Sequence, residues 1–191
     1  MKNAEVVVSE NGIIFVYISV SILVALIISN LFFKEGDQFP FYVLTWLGSF
    51  LGFFILFKSK ITRSIVNIKK RMKTSIKWPI TAKMINGLCW AGPFIFGIFI
   101  PSVYEFLILL AVGLGNISTF LIFLKYNQLK NLEQLLVGVI CILSIFVLLI
   151  LYDYNLVEKI QGEYLARFFV SIAFGIGGIY SLAHSENSIQ T

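Results

Sequence analysis

Histidine occurs once in the 191 residues and cysteine twice, and these scarcities close off several kinds of chemistry. Cys89 and Cys141 sit in separate apolar stretches with no C-x-x-C or Cys/His cluster around them. A disulfide framework, a zinc site and bis-histidine haem ligation are therefore not expected, and no metal or other cofactor is. Enzyme signatures are missing as well: no H-E-x-x-H, no G-x-S-x-G with a histidine, no paired aspartates, no P-loop. Charge is sparse too, at 13% Asp, Glu, Lys and Arg, against 58% hydrophobic residues. With a mean hydropathy of +0.89, the chain has more Phe, Ile and Leu than a soluble core of this size could hide.

What charge there is lies unevenly. Between Lys58 and Pro79 stand eight basic residues (Lys58, Lys60, Arg63, Lys69, Lys70, Arg71, Lys73, Lys77) and no acidic one. Ile61, Ile65, Ile68, Met72 and Ile76 recur there at helical spacing, the pattern of a basic amphipathic helix lying on a membrane surface and stopped at Trp78-Pro79. Apolar runs flank it on both sides. The net charge of +5 is thus concentrated in one loop, which points to anionic lipid head groups as partner, with Lys69, Lys70, Arg71 and Lys73 as the surface contact. Interleaved aromatics that would stack on bases are lacking, so nucleic acid is not expected.

The apolar runs give six spans, at about 13–33, 41–57, 80–100, 102–124, 132–152 and 164–183. Met1 to Asn11 reads as a polar lead, and the first run as a retained helix, since no small-x-small cleavage site follows it. Gly48 and Gly52 form a small-x-x-x-small pair in the second span. Pro93 predicts a kink in the third. Asp153 to Glu163 reads as an acidic connection. With both termini cytoplasmic, the inner segments carry Lys2, the eight residues of the basic stretch, Lys125 and Lys130, whereas the outer turns carry only Lys34 and Lys159. That is a strong positive-inside bias. The basic loop and the lack of a cleavable signal suit a prokaryotic cell membrane, with an internal eukaryotic membrane as the alternative. The expected fold is all-α: one integral membrane domain over 1–191, six transmembrane helices as three hairpins, with the surface helix of 58–79 between the second and third.

Ala111-Val-Gly-Leu-Gly-Asn-Ile-Ser118 resembles Ala173-Phe-Gly-Ile-Gly-Gly-Ile-Tyr180 at an offset of 62 residues, with a thinner match near Leu51-Gly52. The echo suggests repeated hairpins. It also aligns Glu105 with Arg167, each about three residues inside the same end of its span. Opposite charges at equal depth are natural partners, because either alone in hydrocarbon costs ~3 kcal/mol. Lys83, Asn86 and Trp90 share a face of the third span, while Glu105, Val112, Asn116 and Thr119 form a stripe on the fourth. Lys83, Asn86, Glu105, Asn116 and Arg167 are accordingly the candidate intramembrane polar site.

Functionally, the content leans to a non-catalytic accessory or scaffold subunit of a membrane assembly, docking a protein partner or a second copy. A transporter usually buries more polar groups at the midplane. The alternative is a small-solute or ion transporter or channel using the polar seam of spans three, four and six. A lipid-modifying enzyme comes third, for want of catalytic residues. Neutralising Lys69, Lys70, Arg71 and Lys73 together is expected to loosen the basic segment from the membrane surface. A spin label in that segment would then gain mobility, and an unchanged, lipid-buried label would contradict the surface-helix reading.

Overall fold

The computed structural model describes residues 2–32, 39–74, 78–127 and 131–187, with side chains placed for 12–32, 43–66, 78–126 and 131–184. Every regular element among them is helical: α1 Lys2–Phe32, α2 Phe39–Leu56, α3 Lys58–Thr74, α4 Ile80–Phe99, α5 Tyr104–Ile122, α6 Leu132–Asp153 and α7 Lys159–Asn187. A 3₁₀ turn over Pro101–Val103 joins α4 to α5, and a π-helical turn over Phe123–Asn127 follows α5. Five helices are long and apolar enough to cross a membrane; the bent pair α2–α3 raises that to six. Such segments are helical for a general reason, since a helix satisfies every backbone donor and acceptor from within.

Two boundaries differ from the sequence reading. The polar lead is not a separate tail, because α1 is helical from Lys2 onward. The connection at 153–163 is shorter than expected, because α7 already begins at Lys159. Its turn is built at Asn155, which adopts φ 52°. There the Leu156 amide donates to the Leu151 carbonyl at 2.9 Å and the Asn155 amide to Tyr152 at 3.0 Å, the paired bonds of a Schellman cap. Asparagine tolerates that left-handed conformation better than most side chains. Helix α4 passes Pro93 as one continuous helix, with Pro93 buried.

The basic stretch behaves as its periodicity predicts in one respect. Helix α3 leaves α2 at 87°, turning at Phe57. It packs on α1 and α2. Its buried face is set by Ile61 and Ser64, each 2% exposed, while Ile65 is partly exposed. The buried stripe is therefore rotated from the expected Ile61–Ile65 line. The side chains of Ile68, Lys69, Lys70, Arg71, Met72 and Lys73 lie outside the described residues, as does all of Ile76 and Lys77.

The helices form a row of neighbours, α2–α1–α7–α6–α5–α4, with α7 also touching α5. Small residues set the tightest of these contacts. A Cβ added at Gly178 would stand 2.9 Å from the Val16 nitrogen and 3.0 Å from the Gly12 carbonyl oxygen. One added at Gly138 would stand 2.9 Å from the Gly113 oxygen. Between the two glycine contacts, the core holds Phe15, Leu109, Val137, Cys141, Val170 and Phe174, with Phe15 and Phe174 edge to face at 5.3 Å.

The sequence echo has a counterpart in packing. Gly115 of α5 and its equivalent Gly177 of α7 each face the preceding helix, meeting Trp90 of α4 and Val137 of α6. Gly113 and Gly175 each face another helix, α6 at Ile142 and α1 at Ser19. The third copy does not extend this: a Cβ at Gly52 meets nothing within 4 Å. Gly178→Ala and Gly138→Ala are each expected to cost about 1–3 kcal/mol, because backbone rather than a flexible side chain stands in the way. Gly52→Ala should leave stability unchanged. Thermal or denaturant unfolding in detergent would read all three.

Candidate functional site

Asn86 and Trp90 of α4 meet Ser118 and Thr119 of α5, and these contacts hold the two helices together, but none of the five candidate residues bonds another. The Asn86 side-chain oxygen lies 2.7 Å from the Ser118 hydroxyl and 2.9 Å from that of Thr119. Both hydroxyls also lie within hydrogen-bonding distance of the Gly115 carbonyl, at 3.0 Å and 2.7 Å, so each single proton is shared between two acceptors. The Trp90 indole donates to Thr119 at 3.4 Å and lies flat over Gly115, where a Cβ would overlap the ring. Glycine at 115 is what admits the indole. Asn116 takes no part in this cluster. It is 3% exposed, and its amide donates to the Val112 carbonyl of its own helix at 2.8 Å. Lys83, one turn before Asn86, is exposed.

Glu105 and Arg167 do not pair. Glu105 is 2% exposed in the first turn of α5, where the helix dipole favours a carboxylate. The Tyr152 hydroxyl donates to its Oε1 at 3.0 Å. Its Oε2 is buried with no hydrogen-bond partner. Arg167 instead bonds Glu163, one turn earlier on α7, at 3.2 Å, and its guanidinium sits 5.9 Å from the centre of the Trp46 ring of α2. The alignment compared positions along the sequence only. Helical phase decides the partner, and it turns Glu105 toward α6 and Arg167 toward α2.

Tyr152 is the residue that sequence reasoning missed here. It stands in the last turn of α6, packs 5.7 Å from the Phe106 ring and crosses α7 at Gly162, where a Cβ would collide with the phenol oxygen. Glu105, Tyr152 and Gly162 thus fasten α5, α6 and α7 at one end of the bundle. Their signal was faint: a glycine placed ten residues after a tyrosine, across a turn. A second buried carboxylate, Glu133, is 2% exposed in the first turn of α6 beside buried Asn131, and it had passed unremarked at the edge of a span. On the other side of the bundle, Ser19 and Ser171 exchange hydroxyl-to-carbonyl bonds of 2.7 Å and 2.8 Å between α1 and α7.

Among the described residues no three His, Cys, Asp or Glu side chains come together in a way that would hold a metal ion. Cys89 is half-buried, Cys141 is buried, and both are free thiols. Exposed apolar surface lies on α2 and α4, including Leu44, Leu47, Leu51 and Ile55 on the one and Met84, Ile85, Leu88 and Ile95 on the other.

If Tyr152 is what satisfies Glu105, Tyr152→Phe and Glu105→Gln should be strongly non-additive, with a coupling of about 1 kcal/mol in an unfolding double-mutant cycle. Exchanging the charges, Glu105→Arg with Arg167→Glu, should give no rescue over the single variants. No protein-family model, curated protein or solved structure matches the chain.

Proposed function

We propose that the chain is a multi-pass membrane protein acting as a non-catalytic accessory or scaffold subunit, docking a second membrane component along its edge helices. One observation carries this. Four of the thirteen described glycines have nothing within 4 Å of an added Cβ, and all four, Gly48, Gly52, Gly87 and Gly92, lie on α2 and α4. Those are the two ends of the row of helices. The other nine glycines each admit a neighbour that a side chain would obstruct or crowd. Glycine in a helix interior costs roughly 1 kcal/mol relative to alanine. Inside the bundle that cost is offset by close packing; at Gly48, Gly52, Gly87 and Gly92 nothing among the described residues offsets it. A partner helix seated there would.

The same reading gives six crossings with both termini cytoplasmic in a cell membrane. Helix α2 crosses, and α3, at 87° to it, lies along the inner surface with its lysines and arginines among anionic head groups. The positive-inside bias of the connecting segments supports that orientation. A second reading, a small-solute or ion transporter, draws on the unpartnered oxygen of Glu105, since a buried carboxylate in a bundle of spans is a common ion or proton site. Against it, Asn86 and Asn116 are committed to helix contacts.

Replacing Gly48 and Gly52 by leucine together separates docking from folding, because the space around both is open. The double variant should insert and unfold like the parent while losing its partner, or its second copy, on purification in mild detergent and on chemical cross-linking. A parent chain that is an isolated monomer under those conditions would overturn the scaffold reading.

A further inference from the structure

Helices α1 and α7 are held tightly where small residues face each other, at Gly12 with Gly178 and at Ser19 with Ser171. Toward the other end, residues of both helices line a gap. The gap is a cleft of about 490 Å³ with Leu23, Ile27 and Phe168 among its apolar walls. That volume lies in the range of ligand-sized clefts. Its polar atoms are gathered at one end, on Asn30, Gln161 and Tyr164. Leu23 lies nine residues before Phe32, where α1 ends. At ~1.5 Å per residue the cleft therefore reaches about 14 Å inward, close to half of the ~30 Å hydrocarbon thickness.

The mouth is made of donors. Among the described residues, neither the Asn30 carboxamide nor the Tyr164 phenol has a hydrogen-bond partner. The oxygen of Gln161 accepts from the Glu158 amide at 3.2 Å, which leaves its NH₂ group to donate. The ester and phosphate oxygens of a phospholipid are acceptors only, at the depth where these donors stand. We infer that the α1–α7 cleft is a binding site for one phospholipid molecule, an acyl chain lying along Leu23, Ile27 and Phe168 and the glycerol ester and phosphate oxygens taking hydrogen bonds from Asn30, Gln161 and Tyr164. The inference rests on the reading that the chain spans a membrane; it does not depend on the scaffold role.

The test uses the full chain reconstituted into phosphatidylcholine vesicles doped with phosphatidylcholine that carries a diazirine on one acyl chain near its ester. Co-flotation with the vesicles reports membrane insertion separately. After photolysis and peptide mapping, adducts should concentrate on 23–30 and 157–168, several-fold above the exposed faces of α4 and α6. Ile27→Trp, at a position already 50% exposed, should fill the cleft and lower those adducts several-fold without altering thermal unfolding. Phe168→Trp is the second filling variant should the first fail to fold. Asn30→Leu should move adducts away from the mouth. Adducts spread in proportion to exposure, or adducts indifferent to the filling variants, would each overturn the site.

Discussion

Helix α7 touches α1, α5 and α6, and it can do so because its side chains are small where those backbones come closest. For helices that cross a membrane, as proposed here, there is little hydrophobic drive between them, so association depends on dispersion at close range and on hydrogen bonds across the interface. Gly175, Gly177 and Gly178 supply the first on two faces of α7, and Ser171 supplies the second. The exchange between Ser19 and Ser171 is reciprocal, each hydroxyl bonding the other residue's carbonyl. Two backbones are thereby fixed in register as well as in distance. Everything else in the bundle is arranged around that spine: α6 and α5 on one side, α1 and then α2 on the other.

Polar groups within the bundle act as fasteners. Asn86 bonds two hydroxyls of α5, Tyr152 bonds Glu105, and Arg167 stays with Glu163 and Trp46. Each joins neighbouring helices or neighbouring turns, and none of these side chains is aligned with another along a path. The small residues at the edges have no such employment. The division between an occupied interior and unoccupied margins is what favours a docking role over a transport role.

Much of the architecture was legible because it rests on length and period. Runs of apolar residues gave the long helices, and the loss of acidic residues between Lys58 and Pro79 marked the segment that turns away from α2. What escaped was phase. Glu105 and Arg167 face different neighbours, since a span offers no amphipathic stripe to orient it when every side is apolar. Gly48 and Gly52 form a small-x-x-x-small pair, yet among the described residues nothing fills the space beside them, whereas Gly175, Gly177 and Gly178 are all closely packed. Tyr152 was invisible for the same reason, because its role depends on Gly162 leaving a passage across a turn. The boundaries of α1 and α7 ran beyond the apolar runs, where polar residues simply continue a helix already begun.

The closest partner of the first helix is the last one. The serine exchange that locks them spans 152 residues of chain. At a synthesis rate of about 5–20 residues per second, α1 waits roughly eight to thirty seconds between its own emergence and that of Ser171. Throughout that interval Gly12 and Ser19 have no seam to close, while α4, α5 and α6 can already pack on one another through Gly113, Gly115 and Gly138. The α1–α7 seam therefore closes only after α7 has been made, whatever α1 has already formed with α2 and α3.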